Sequence, residues 1–161
     1  MTAESAAPII DIEEVAPTSP DAEYCLSRYY EEISERFEGG FDPVRSVTPS
    51  LDEFAPPSGT FVVVRLNGKL VGCGGFKPMP PDAAYLKRMW VAREARGHGL
   101  GKRLLKALEV RARTLGYRKV RLETHKSLGE AQQLYRSHGY AEVPPFGEAT
   151  YAHHWFEKLL D

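Results

Sequence analysis

Residues 95–105, "ARGHGLGKRLL", constrain this chain more than any other stretch. Three glycines, Gly97, Gly99 and Gly101, alternate with His98 and Leu100, and a strongly helical run starts at once. Glycine inside a helix costs about 1 kcal/mol against alanine, so this helix start needs bare backbone more than propensity. The segment before it, "AAYLKRMWV" (83–91), reads as a strand. A strand that feeds a glycine-rich turn and then a helix makes an anion site. The first helical amides have no backbone partners, and the helix dipole adds positive potential there. Without Cβ atoms at 97, 99 and 101, a phosphate can approach the backbone. Arg93, Arg96, Lys102 and Arg103 surround it with positive charge. A tight turn requiring positive φ would use the same glycines. Two phosphate motifs fail: Arg96 and Arg103 occupy the first glycine and the hydroxyl of a P-loop, and Lys102 occupies the third glycine of a dinucleotide fingerprint.

The rest of the chain supplies a mixed fold. "PIIDIEEV" (8–15) alternates weakly as a first strand, with residues 1–8 expected to fray. "SPDAEYCLSRYYEEISERF" (19–37) opens a helix with Ser19 as N-cap and Pro20 at its first position, and Gly39-Gly40 stops it. Residues 41–59 are irregular. "TFVVVRLNGKLVGCGGF" (60–76) is a hairpin, two β-branched runs flanking Asn67-Gly68. After the helix that ends at Gly116, "KVRLETH" (119–125) is a strand, "GEAQQLYRSHG" (129–139) a short helix and "TYAHHWFEKLL" (150–160) a final strand. This order predicts a mixed α/β sandwich, antiparallel on the hairpin side, with a strand–helix–strand crossover on the other.

With 161 residues and no repeat or linker, a single domain spanning 1–161 is expected. Cys25 and Cys73 fit no zinc or redox spacing, so no metal is expected. The start has neither a basic n-region nor a long apolar run, which predicts a cytoplasmic protein without a membrane span. Net charge near zero conceals an asymmetry. Met1 to Ser58 holds thirteen Asp/Glu against three Lys/Arg, whereas Lys87 to Arg121 holds twelve Lys/Arg against Glu94 and Glu109. The first part suits a cation and the second an anion.

The segments "LKRMWVAREARGHGLGKRLLKALE" and "GYRKVRLETHKSLGEAQQLYRSHGYAEV" resemble the acetyl-CoA signature and the following strand–helix unit of the GNAT superfamily of N-acetyltransferases. Arg96-Gly97-His98-Gly99-Leu100-Gly101 matches its Arg/Gln-x-x-Gly-x-Gly/Ala core, and "AQQLY" its Ala-x-x-Leu-Tyr motif. The resemblance runs from about Thr60 to Leu160. It implies a three-layer fold: a central, mostly antiparallel sheet with a splayed parallel strand pair, flanked by helices. It also implies acetyl-CoA as co-substrate, with Trp90 and Val91 supplying strand backbone to the pantetheine arm. Arg96, Gly97, His98, Gly99, Leu100, Gly101 and Lys102 would cradle the pyrophosphate. The acceptor implied is a small-molecule primary amine, and the acidic Glu31, Glu32, Glu35 and Glu38 make a cationic one the expectation. The protein would be a monomer or homodimer.

Transfer from a thioester to an amine needs a base, an oxyanion donor and an acid. An alkylamine with pKa ~10.4 is almost wholly protonated at pH 7, so a proton acceptor is needed. By resemblance the oxyanion falls to a backbone N–H near Val91. Many relatives carry a glutamate six residues before that position; here it is Tyr85, a poor base with pKa ~10. Glu123 and His125 are the substitutes, and one of His153 and His154 could face the acceptor, since neighbours on a strand point oppositely. Leu128 stands where many relatives place a cofactor-contacting asparagine. Tyr135, the tyrosine of the Ala-x-x-Leu-Tyr motif, is the expected acid. Two alternatives remain open at this level: an acyl-CoA sensor without efficient catalysis, and a nucleic-acid or partner-binding module using the basic stretch 102–121.

Overall fold

Asn67 and Gly68 turn the chain with φ of 51° and 85°, and the hairpin they close anchors a sheet of seven strands among the described residues. The computed structural model describes residues 7–42, 51–147 and 151–161. Its strands are β1 (Ile10–Glu14), β2 (Thr60–Leu66), β3 (Lys69–Met79), β4 (Ala83–Val91), β5 (Lys119–Thr124), β6 (Ala141–Val143) and β7 (His154–Leu159). The helices are α1 (Pro20–Arg36), α2 (Leu100–Thr114) and α3 (Gly129–Ser137). The Ser19 side chain accepts from Ala22 N–H and caps α1 as its sequence predicts. The short strand β6 has no counterpart in the sequence reading, because three residues carry too little alternation to register. The final strand was expected from residue 150 and starts at His154; Thr150 lies outside the described residues, as do residues 1–6 and residues 43–50 of the irregular 41–59 segment.

The sheet order is β1-β2-β3-β4-β5-β7-β6, and every pairing is antiparallel except β4 with β5. That parallel pair holds only at Ala83–Tyr85 against Lys119–Arg121. Beyond it the strands splay, and a bulge explains why. Cys73 pairs with Trp90 and Gly75 with Lys87, so Arg88 and Met89 together oppose Gly74. Arg88 takes φ +62° to absorb the extra residue, which bends β4 away from its neighbour.

Helices cover both faces. The Cys73 side chain meets Cys25 of α1, whereas a Cβ on Gly74 would meet Leu108 of α2 at 3.1 Å. Adjacent strand residues point to opposite faces, so α1 and α2 lie on opposite sides of the sheet. Leu104, Leu105 and Leu108 of α2 are each at most 1% exposed. Burying each contributes about 1.5–3 kcal/mol. The result is the three-layer mixed α/β architecture with a splayed parallel pair.

Candidate active site

The splay between β4 and β5 opens two adjoining cavities. The larger, about 390 Å³, runs from the glycine turn along β4 between α1 and α3, and Trp90, Val91, Arg96, Gly97, Gly99, Leu100, Gly101 and Lys102 line it. Backbone direction along β4 follows from one hydrogen bond: Ala92 N–H donates to Val71 C=O at 2.8 Å. Alternation then turns Trp90 backbone toward β3 and Val91 backbone away from it, into the splay. The Val91 carbonyl, accepting from Arg96 Nε at 3.1 Å, is consistent with this. Trp90 therefore lines the cavity through its side chain, whose Nε1–H donates to Glu32 at 3.2 Å.

Gly97 and Gly99 have φ of +92° and +71°, so the turn does require residues tolerant of positive φ. A Cβ at either would meet nothing within 4 Å, while one at Gly101 would touch Leu134 at 3.4 Å. The turn requirement and an open approach to backbone N–H groups coexist here. His98 Nδ1 sits 3.1 Å from Ala95 O, outside the cavity lining. Arg96 is already engaged: Nη2 donates to Glu32 at 2.7 Å. Burial alone would raise the Glu32 pKa, but the Arg96 guanidinium outweighs it and holds the carboxyl below its ordinary value. Arg36 donates to both oxygens of Glu130 and, at 2.7 Å, to Ser127 C=O, tying α1 to the start of α3. None of these ties is visible in the sequence.

The smaller cavity, about 100 Å³, lies between the diverging strands under α1, and Lys87, Arg88, Glu123, His125 and Tyr135 help line it. Tyr135 lines both spaces, and no described residue hydrogen-bonds its hydroxyl. Burial pushes its phenol pKa up, so it stays protonated. Tyr85 donates its hydroxyl to Glu123 Oε1, and burial together with that carboxylate raises its pKa far above the usual value. It cannot serve as the base. Lys87 Nζ lies 3.6 Å from the same oxygen, and burial pulls its pKa down to about 8. Glu123 Oε2 is buried with no partner among the described residues. Lys87 escaped sequence reading because its meeting with Glu123 depends on the β4–β5 register.

His125 Nδ1 accepts from Ser127 N–H at 3.0 Å. The proton of the neutral ring therefore sits on Nε2, and the lone pair a base would use is occupied. Burial, reinforced by His153 and Lys126, lowers its pKa. His153 packs edge-on against it with centroids 4.5 Å apart, whereas His154 pairs with Glu142 at 2.7 Å, in keeping with the opposite directions expected. Among the described residues no three His, Cys, Asp or Glu gather where they could hold a metal, and no helix is long and apolar enough to cross a membrane.

Comparison with known proteins fits this geometry. The chain matches the Acetyltransferase (GNAT) family over residues 26–140. It is 36% identical over 116 residues to the IAA acetyltransferase of Azospirillum brasilense, covering 70% of this chain and 75% of that protein. Its fold is similar to a GNAT-family acetyltransferase from Staphylococcus aureus Mu50 (TM-score 0.79, 20% identity, 95% and 100% of the two chains). It is also similar to the PaiA N-acetyltransferase of Thermoplasma acidophilum, solved in complex with coenzyme A (TM-score 0.73, 19% identity, 94% and 99% covered).

Proposed function

Because the chain belongs to the GNAT acetyltransferase family and is an acyltransferase, we propose that it carries an acetyl group from acetyl-CoA to a primary amine by direct attack through a tetrahedral intermediate. The observation that carries this reading is the meeting of two cavities at Tyr135, one along the glycine turn and β4, the other beside Glu123.

Residues 96–102 would hold the pyrophosphate, on open backbone amides at the start of α2. Val91, whose backbone faces the splay, would give its N–H to the oxyanion. Glu123 is the proton acceptor in this scheme. Tyr85 and Lys87 both engage its Oε1, and Oε2 is buried with no partner among the described residues. His125 holds its proton on Nε2 and serves as a donor at most. Tyr135 would donate its proton to the departing sulfur, because burial keeps the phenol protonated at the junction of the two cavities.

None of Glu31, Glu32, Glu35 and Glu38 lines the acceptor cavity, and Glu32 and Glu35 face Arg96 and Arg93. Support for a cationic acceptor thus narrows to Glu123. We read residues 1–161 as one N-acetyltransferase domain. Cys25 and Cys73, both free thiols, fit a cytoplasmic setting. The family match does not favour a nucleic-acid module for the basic stretch 102–121, where Arg111 pairs with Glu14.

Calorimetry with acetyl-CoA and thiol release over an amine panel test the proposal. Binding with turnover that falls by about a hundredfold in Glu123→Gln supports it. Binding without turnover of any amine would return the protein to an acyl-CoA sensor.

A further inference from the structure

Resting on the acyl-transfer reading, the geometry points to Tyr29 as a second catalytic phenol, whose hydroxyl donates to the acyl oxygen as negative charge develops there. Among the described residues, five line both cavities: Tyr29, Met89, Leu128, Ala131 and Tyr135. An acyl group passed from one cavity to the other crosses the space these residues enclose. Only Tyr29 and Tyr135 bring a side-chain hydrogen-bond donor to it. Tyr29 lies on α1 and Tyr135 on α3, the helices that flank the larger cavity.

The Tyr29 hydroxyl is available for this role. No described residue hydrogen-bonds it, and unlike Glu123 Oε2 it is not among the polar atoms sealed away without a partner. The residue is partly exposed, so its oxygen opens onto the cavity. Its ring is held beside Tyr30 and Phe41, with centroids 5.6 and 6.5 Å away. Burial pushes the phenol pKa up to about 12, against the pull of Arg88, so it stays a donor. Tyr29 also adds to burial in raising the Tyr135 pKa, so the two phenols lie within electrostatic reach of each other.

A thioester under attack has two atoms to serve. The C–N bond forms, the carbonyl pair moves onto oxygen, and that pair returns as the C–S bond breaks. The oxygen needs a donor that keeps its proton, and the sulfur one that gives its proton up. With Tyr135 on the sulfur, Tyr29 on the facing helix takes the oxygen, sharing it with the Val91 N–H. The amine proton leaves to the base, and the Tyr29 O–H is intact at the end of turnover.

Tyr29→Phe keeps the ring and leaves no protein group newly unpaired, so the fold should stay. In thiol release with the full chain, its kcat should fall about a hundredfold, the usual cost of one oxyanion donor. Both KM values and the calorimetric affinity for acetyl-CoA should stay unchanged. Acetyldithio-CoA, which carries sulfur in place of the acyl oxygen, reads the contact itself, because sulfur is a weak acceptor. With that donor Tyr29→Phe should cost less than about tenfold, whereas Tyr135→Phe should cost as much as with acetyl-CoA. A wild-type kcat in Tyr29→Phe, a change confined to the KM of the amine, or an equal loss with both acyl donors each overturns the role of Tyr29. Wild-type turnover leaves the acyl-transfer reading standing in all three cases. No turnover of any amine by the wild-type protein removes that reading and this role together.

Discussion

At the residue scale the site turns on the Tyr135 hydroxyl and Glu123 Oε2, neither of which has a hydrogen-bond partner among the described residues. Tyr135 carries a buried phenol with no described hydrogen-bond partner at the junction of the cavities. Tyr135→Phe keeps the packing against Phe156 and Tyr140 and removes only the oxygen. Turnover should fall about ten- to a thousandfold with acetyl-CoA affinity little changed; a phenylalanine variant as fast as wild type across the pH range would make Tyr135 a packing residue. The glycines separate by backbone angle. Valine at Gly99 would be strained by about 1–2 kcal/mol, because φ is +71° there, so lost binding and lost stability would be confounded. Gly101 lies within α2, where an added Cβ meets only the end of Leu134. Gly101→Val should weaken acetyl-CoA binding at least tenfold while the protein stays folded, and calorimetry on a variant with native circular dichroism checks it.

At the element scale, α1 and α3 are joined across the larger cavity by Arg36 and Glu130, with Arg96 and Glu32 beside them. The Arg36 guanidinium holds the Glu130 carboxyl at about 2, below its ordinary 4.5. A carboxyl whose folded pKa is depressed adds stability above its unfolded pKa and loses it as pH falls toward the folded value. This contribution is therefore present above about pH 4.5 and disappears between there and about pH 2. Glu130→Gln should flatten the acid limb of stability in that window, read as urea midpoints from pH 2 to 6; parallel curves for the two proteins would show that the clamp carries no free energy. The β4 bulge acts at the same scale: one extra residue, Arg88 at φ +62°, frees the Val91 backbone for a ligand.

On the scale of the whole molecule, the larger cavity is bordered by α1, β4, α2 and α3, so a ligand there would contact most of the fold and bind only the native state. Acetyl-CoA at about a hundred times its Kd should stabilise the protein by about 2.7 kcal/mol. That corresponds to a rise of roughly 5–10 °C in Tm for a chain of this size. Differential scanning fluorimetry in the presence of acetyl-CoA checks it, and Gly101→Val should lose most of the shift. An equal rise in wild type and variant would place the cofactor elsewhere.

Local signals made much of this legible. The Asn67-Gly68 turn, the Ser19 cap and the leucine stripe of α2 are written in short spacings, because turns, caps and helix faces involve residues near in sequence. Gly97 and Gly99 were readable for the same reason: positive φ and an exposed helix start are properties of a few consecutive residues. Only tertiary structure decided what required register between distant strands. Tyr85 reaches Glu123 because β4 and β5 pair at Ala83–Tyr85 and then part; the phenol that the sequence marks as a poor base is there a hydrogen-bond donor to a carboxylate. Lys87 joins them through the same register. His125 lost its free nitrogen to Ser127 in a loop whose path no periodicity encodes. The acidic face of α1 was plain in the sequence, but its direction was not, because Arg96 and Arg93, some sixty residues away, face its carboxylates. Residue type sets what each group can do, whereas the geometry of the fold sets which other group it meets.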